Sequence, residues 1–435
     1  MISCYEEAVR TIENSSRFLS VNPVEYTAGR LDELGNPDRR AGMLVHIAGT
    51  NGKGSVSAYL ASIFRGMGLR TGHFTSPHLV RLNERIAVDG QMISDGDFFD
   101  AFKEVRGPGS GGEPGSGYFE TLFLMAMVYF AKMRTDVAVI ETGLGGRLDA
   151  TNAVRDPAVT VITQIGFDHM GILGNSIEEI AAEKAGILKA GAPCVYSAEN
   201  PKAAAVIEKR ARDLGGESPS AEIRLYPLSP EDCLVRRMGS GVIDFSTSFR
   251  YDRNADYKVR SFAPYQAENA SLAVLAVKAL ADRGLLRPSA DEVKRGLYEM
   301  EWPARMEEIA PRVFLDGAHN IDGIRRFLEA ARAVAGGGRA RLLFSAVNDK
   351  DYGEMIRELS AGYPWEKVIT TEIKGVRQIE CGALKELFER AGTHAESIPG
   401  IREALLLALR DRDDGTYVFI CGSLYLAGTI KEIMK

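Results

Sequence analysis

The chain has 435 residues, 45% of them hydrophobic and 26% charged, with a net charge of −6. That length exceeds one ordinary core, so two or three globular domains are expected. The acidic balance excludes an electrostatic case for DNA or RNA, whose binders need basic surface.

Five cysteines (Cys4, Cys194, Cys233, Cys381, Cys421) lie far apart without a C-x-x-C, so neither a disulfide framework nor a zinc site follows. The first residues, "MISCYEEAVRTIENSSRF", are amphipathic and acid-containing rather than a basic leader with an apolar run. No uninterrupted apolar stretch is long enough to span a bilayer. A cytoplasmic protein with no membrane partner is the expectation.

In chain order, short apolar runs alternate with helical patterns. Strands are predicted at "MLVHIA" (43–48), "VAVIET" (137–142), "AVTVITQI" (158–165), "RVFLDGA" (312–318), "ARLLFSAV" (340–347), "KVITTEI" (367–373) and "TYVFICGS" (416–423). Helices are predicted at 55–67, 268–284 and 321–336. Apolar strands separated by helices mean parallel sheets covered on both faces. Trp302–Pro303 interrupts the rhythm, which places a domain boundary near residue 300. The glycine-rich stretch 107–117, "GPGSGGEPGSG", cannot pack a core and reads as a mobile surface loop.

"HIAGTNGKGS" (46–55) has the order strand, glycine-rich turn, Lys53, Ser55, amphipathic helix. Helix N-terminal N–H groups and close-wrapping glycines suit phosphate oxygens. Lys53 would contact the terminal phosphates and Ser55 could reach a magnesium ion. The strict G-x-x-x-x-G-K-[ST] pattern is not met, because Gly49 stands only three before Gly52 and Gly54 separates Lys53 from Ser55. A motor, a switch, a kinase or a ligase could use such a site. Glu141 ends a predicted strand before a three-glycine turn, where a carboxylate can hold magnesium or, more simply, form a cap or salt bridge. Asp168 and His169 follow the next strand, at the sheet edge where such folds bind ligands.

"SIEEIAAEKAGILK" (176–189) opens with an S-x-x-E capping box, Ser176 and Glu179. Lys184 falls in the same sector as Ile177, Ile180, Ala181 and Leu188. Either its stem snorkels and the ammonium escapes to water, or it is a buried, chemically altered lysine. The helix alone leaves both open.

Taken together, "HIAGTNGKGSV", "FTSPHLVRLNERI" (74–86), "ETGLGGRLDATN" (141–152), "DHMGILGNSIEEIAAEKAGILK" (168–189) and "FLDGAHN" (314–320) resemble, in order, the folylpolyglutamate synthases of the Mur ligase superfamily. The bacterial members often double as dihydrofolate synthases. The likeness runs from about residue 20 to "CGSLYLAGTI" (421–430). It implies an α/β protein: an N-terminal P-loop ATPase-like parallel-sheet domain (1–300) carrying folate-binding loops, and a smaller C-terminal Rossmann-like α/β domain (301–435) for glutamate ligation. It further implies ATP, two Mg²⁺ ions and a pteroate or folate acceptor, with L-glutamate as the nucleophile; a monomer is the expectation.

By the same resemblance, Gly49, Thr50, Asn51, Gly52, Lys53, Gly54 and Ser55 cradle ATP. Ser76, Glu141 and His169 match metal ligands, and Lys184 matches a lysine carried as an N-carboxylated side chain. Asn269, Arg305 and Asp316 match ATP contacts across the domain cleft. Phe119, Glu120 and Asp149 match the pterin neighbourhood, and His319 and Ser423 the glutamate site. Three positions depart from the family pattern: Ala304 where glycine is usual, Ile321 where proline is common, and Phe123 where threonine is usual. The last is expected to alter the pterin pocket. A peptidoglycan-type Mur ligase would need a nucleotide-sugar domain before the phosphate turn, and only 45 residues precede His46. A non-ligating switch of the same fold would have lost Glu141, His169 or Lys184.

Overall fold

The computed structural model describes residues 2–16, 19, 21–107, 117–216, 219–249, 252–375 and 377–435. Most of the glycine-rich stretch expected to form a mobile loop, 108–116, lies outside the described residues.

Eight strands form the first sheet: β1 (Met43–Ala48), β2 (Thr71–Phe74), β3 (Ile86–Val88), β4 (Gln91–Met92), β5 (Val137–Glu141), β6 (Val159–Ile162), β7 (Cys194–Ser197) and β8 (Leu225–Leu228). Their spatial order is β4-β3-β2-β5-β1-β6-β7-β8. From β2 to β8 the neighbours are parallel, and β3 and β4 add an antiparallel edge. Central β1, β5 and β6 are buried almost throughout, which explains their uninterrupted apolar sequences.

Helix Lys53–Gly66 leaves the β1 turn and packs on helix Tyr265–Asp282, both nearly all buried, over one face of the sheet. Helix Tyr118–Met133, an apolar run from Leu122 to Phe130 with Tyr129 its only hydroxyl, belongs to the core on the opposite face. Among the described residues no helix is long and apolar enough to cross a membrane.

A second sheet of β9 (Cys233–Gly239), β10 (Val242–Phe249) and β11 (Asp252–Arg260) is antiparallel throughout. The alternation of strands and helices did not announce it, because β9 is largely exposed and lacks a long apolar run. Its signal is the turn between β9 and β10, where Ser240 (φ 52°) and Gly241 (φ 73°) are both left-handed, as a two-residue hairpin requires.

The third sheet has β12 (Glu307–Ala310), β13 (Val313–Leu315), β14 (Ala340–Phe344), β15 (Lys367–Thr370), β16 (Ala395–Ser397) and β17 (Tyr417–Cys421) in the order β12-β13-β17-β14-β15-β16. Only the β12 edge pairs antiparallel. Helix Ile321–Ala335 starts at Ile321, with Asn320 as its cap. Proline is favoured at the first helical position, which accounts for its frequency there and for the tolerance of isoleucine. Ala304 is left-handed (φ 55°), a conformation that glycine adopts without strain.

Candidate active site

The strand ends β1, β2, β5 and β6 deliver their following residues to one cavity of about 320 Å³. Gly49 to Ser55, Ser76, Glu141, His169, Lys184, Asn269, Arg305, Asp316, His319 and Ser423 all line it. Phe119, Glu120 and Asp149 line a neighbouring cavity of about 980 Å³. The two meet at Ser76, Pro77, Gly143, Leu144, Leu173, Arg377 and Tyr425, which line both.

The phosphate turn is held shut by its own chemistry. Gly52 has φ 89°, and a Cβ there would meet the Asn269 amide oxygen at 2.4 Å. At Gly49 a Cβ would lie 1.8 Å from the Thr163 hydroxyl oxygen. No side chain fits either place, so the backbone passes directly against β6 and helix Tyr265–Asp282. Thr163 Oγ1 donates to the Asn51 carbonyl (2.7 Å), and the Asn51 amide donates to Gln164 Oε1 (3.1 Å). Lys53 Nζ folds back onto the carbonyls of Gly49 (3.1 Å) and Thr50 (3.4 Å). Ser55 is 1% exposed and accepts from the Gln266 amide at 3.2 Å.

Glu141 is neither a helix cap nor a salt-bridging carboxylate. It is 2% exposed, and its Oε2 accepts from Thr75 Oγ1 (2.5 Å) and the Ser76 N–H (3.1 Å). Burial pushes its carboxyl above the usual range, while the Lys53 ammonium and those two donors pull it back.

The capping box of the Lys184 helix is formed: Ser176 Oγ accepts from Glu179 N–H (3.2 Å), and Glu179 Oε2 accepts from Ser176 N–H (3.1 Å). Such a cap contributes about 1 kcal/mol. The helix, Ile177–Ala185, ends before Leu188. Lys184 does not snorkel. It is 3% exposed, and its Nζ donates to the Gly49 carbonyl at 2.8 Å, directly beneath the phosphate turn. Burial, reinforced by the nearby Lys53 charge, lowers its pKa from 10.5 to about 7.

Two residues the sequence reading overlooked join the C-terminal sheet to this site. Lys350 Nζ donates to Asp168 Oδ1 (2.6 Å) and sits 3.2 Å from His169 Nε2. The Asn320 amide donates to Asn51 Oδ1 (3.0 Å) and Asp168 Oδ2 (3.1 Å). Burial alone would raise the Asp168 carboxyl, but Lys350, His169 and His319 outweigh it and hold it well below the ordinary range. The available signals were the asparagine of "DGAHN" and the charged "NDKD" (348–351) after β14. Each follows a C-terminal strand, as the glycine turn follows β1.

Other expected contacts already serve the scaffold. Asp316 accepts from Ala318 N–H (2.8 Å), Met306 N–H (2.8 Å) and Tyr265 OH (3.0 Å). Asp149 accepts from Leu144 N–H (2.8 Å) and both donors of Thr151 (3.0 and 2.6 Å), so it organises the glycine turn after β5. Ser423 caps helix Leu424–Ile433 through the Tyr425 N–H (3.1 Å). Arg305 Nη1 donates to the Ala304 carbonyl (2.8 Å), and His319 Nδ1 lies 2.7 Å from the Gly317 carbonyl. Glu120 differs: it is 5% exposed, and among the described residues its Oε2 has no hydrogen-bond partner. Burial, and then the Asp149 charge, raise its pKa. Phe123, expected to alter the pterin pocket, does not line it; the ring is fully buried against Phe74, with centroids 5.6 Å apart.

Among the described residues, no three His, Cys, Asp or Glu side chains form a ready-made metal cluster. Magnesium needs few protein ligands when phosphates supply the rest. Glu141 and Ser76 put hard oxygen donors on the cavity wall, and Lys53 lies on the same wall. That set fits a phosphate-bound dication. A second ion does not fit the donors as they stand, because His169 faces the Lys350 ammonium and Lys184 is an N–H donor.

The Mur ligase middle domain family matches residues 47–277, and the Mur ligase glutamate ligase domain family matches residues 304–424. The dihydrofolate synthase/folylpolyglutamate synthase of Bacillus subtilis is 35% identical, over 82% of this chain and 83% of its own. The chain belongs to the folylpolyglutamate synthase/dihydrofolate synthase family of Mur ligases. Among solved structures of this family, E. coli FolC in complex with DHPP and ADP superposes with a TM-score of 0.85 at 27% identity, covering 99% of this chain and 98% of that one. The Yersinia pestis bifunctional folylpolyglutamate synthase/dihydrofolate synthase, complexed with AMPPNP and Mn ion, gives 0.83 at 27% identity, covering 99% and 98%. The fold expected of this family is the one described above: a parallel-rich α/β sheet followed by a smaller C-terminal α/β sheet.

Proposed function

We propose that the protein is an ATP-dependent ligase that joins L-glutamate to the carboxylate of a pteroate or folate acceptor. The observation that carries this reading is the continuity of the two cavities. A nucleotide bound in the phosphate turn presents its terminal phosphate to the passage through which an acceptor carboxylate would arrive. The relatives support it, being named for both reactions, and the structures cited hold nucleotide in this fold.

A carboxylate is a poor acylating agent because its charge is delocalised and an oxide leaves badly. In the proposed sequence an acceptor carboxylate oxygen attacks the γ-phosphorus and ADP leaves, giving an acyl phosphate. The amine of glutamate then adds to the acyl carbon and loses a proton, and phosphate departs with the bonding pair. Lys53 would exchange its loop carbonyls for phosphate oxygens and stabilise the charge on the transferring group. The N–H groups from Gly52 to Ser55 would hold the phosphates, while those of Thr50 and Asn51 stay on the Gln164 carbonyl, and the contacts of Asn320 and Lys350 across the cleft would exclude water from the acyl phosphate. Ser76 and Glu141, together with ATP, would hold magnesium, which would supply Lewis-acid charge neutralisation.

Lys184 is proposed to be N-carboxylated. Its lowered pKa supplies the neutral amine that can add to carbon dioxide, and loss of the amine proton leaves a carbamate near Lys53. That change would turn an N–H donor into an anionic oxygen ligand in the cavity that His169 also lines, the donor type a second ion requires. The chain is proposed to divide at residue 300, with the first two sheets in residues 1–300 and the third in residues 301–435.

The test is glutamyl transfer with Mg-ATP and L-glutamate, offering dihydropteroate and tetrahydrofolate separately and weighing the products. A glutamyl mass increment on either acceptor, with matching ADP release, is expected. ADP release independent of acceptor, with no added glutamate, overturns the assignment.

A further inference from the structure

The acceptor cavity has three arginines and no lysine among its described lining residues. Two of the arginines already own a carboxylate. Arg147 is held by Glu183 through two nitrogens at 3.0 and 2.8 Å, and Arg377 by Asp349 at 2.9 Å. Arg85 is different. It is 6% exposed, yet among the described residues no carboxylate lies within ion-pair distance of it. Its Nε donates to His78 Nδ1 at 3.0 Å, and its guanidinium lies 5.2 Å from the centre of the Tyr118 ring.

His78 is no counter-ion. Burial and the Arg85 charge itself keep it neutral, with a pKa near 4. The two acids whose charges act on it are committed elsewhere: Glu84 accepts from the N–H groups of Leu79, Val80 and Arg81, and Glu141 from Thr75 and Ser76. A buried cation without a counter-charge costs several kcal/mol, so the arrangement makes sense where the ligand brings the anion.

Position says which anion. Arg377 lines both cavities, whereas Arg85 lines only the acceptor cavity. The carboxylate that reacts must reach the nucleotide cavity, so it passes Arg377. A carboxylate set back from the reacting one stays beside Arg85. Dihydropteroate has only the reacting carboxylate. An acceptor that already carries glutamate reacts through its γ-carboxylate and brings an α-carboxylate behind it.

Resting on the ligase reading above, we propose that Arg85 binds the α-carboxylate of glutamylated acceptors and so separates chain extension from the first glutamylation. Its guanidinium supplies an ion pair that dihydropteroate cannot use. Arg85 is therefore a specificity-determining residue.

The experiment compares KM for tetrahydrofolate and for dihydropteroate in the wild type, Arg85→Met and Arg85→Lys. KM does not depend on the fraction of enzyme that has folded, so a partly misfolded variant still reports. A charge-assisted pair lost from a buried site predicts that Arg85→Met raises the tetrahydrofolate KM about 10–100-fold more than the dihydropteroate KM, with partial recovery in Arg85→Lys. An equal rise for both acceptors, or a larger one for dihydropteroate, overturns the proposal. If the wild type turns over only one acceptor, the same ratio is read from dissociation constants of dihydropteroate and dihydrofolate with ADP bound. Glutamyl transfer to neither acceptor by the wild type overturns the ligase reading, and this proposal with it.

Discussion

The nucleotide cavity and the acceptor cavity share a wall at Ser76, Pro77, Gly143 and Leu144, yet they are built in opposite ways. The first is made of turns at the ends of parallel strands, and its polar groups are tied to one another before any ligand arrives: Lys53 to loop carbonyls, Lys184 to Gly49, Asp168 to Lys350. The second is made of side chains from distant segments, from Glu13 to Tyr425, and among the described residues its Glu120 and Arg85 have no ion-pair partner. A pre-tied cavity suits chemistry common to every turnover. A cavity with unmet charge suits recognition, because the ligand completes it.

Substitutions can break that contrast. The largest effect is expected from Lys53→Ala, which removes the cation that would stabilise the transferring phosphoryl group while leaving the fold. We expect kcat/KM to fall about a thousandfold or more with an unchanged circular dichroism spectrum. A drop smaller than tenfold would remove Lys53 from the chemistry.

Lys184→Met comes next. It exchanges a buried amine for an apolar side chain of similar length, so thermal stability should hold or rise while turnover falls about 10–100-fold. Loss of both in proportion would mean a purely structural lysine. The pH dependence sharpens this. With a native pKa near 7 against an ordinary 10.5, the unfolded chain holds a proton that the native chain lacks across that window. In CO2-free buffer the wild type should therefore gain stability as pH rises from about 7 towards 10, and Lys184→Met should lose that gain. Urea midpoints at pH 7 and 9 report the difference.

Lys350→Met strands the buried Asp168 carboxylate and should destabilise by about 3 kcal/mol, read by denaturant titration. Adding Asp168→Asn should recover much of it. Additive losses would show that the pair is not coupled.

The smallest effect is expected at Ala304. Glycine would relieve the left-handed backbone, worth about 1–2 kcal/mol, but adds backbone freedom and removes a buried methyl. These terms nearly cancel, so Ala304→Gly should shift stability by less than about 1 kcal/mol and leave activity alone. A loss above 3 kcal/mol would mean that the methyl packs more than it strains.

How much of this was legible in the sequence follows the same contrast. Strands β1, β5 and β6 and the turn after β1 announce themselves because a strand buried on both faces must be apolar and a phosphate turn must have glycine. Lys184 announced an anomaly, but only its burial beneath Gly49 distinguishes a poised amine from a snorkelling one. Lys350 and Asn320 escaped notice because their importance lies in contacts with Asp168 and Asn51, more than 150 residues away in the chain. Arg85 sat in a quoted motif without drawing attention, since a missing counter-ion is a property of three-dimensional packing. The antiparallel sheet β9–β11 was hidden by its exposure, and Phe123 stands one ring back from the cavity wall, packed on Phe74, which itself packs on Phe119, because position in a motif does not fix which way a helical side chain points.

The central claim is that the two cavities are one reaction path, with the acceptor carboxylate phosphorylated where they meet. An acceptor labelled with ¹⁸O in its reacting carboxylate tests it most directly, with the released phosphate and the amide product weighed after turnover. The account predicts one ¹⁸O transferred to inorganic phosphate and one retained in the amide. Phosphate free of label, in a reaction that still forms the glutamyl product, would contradict it.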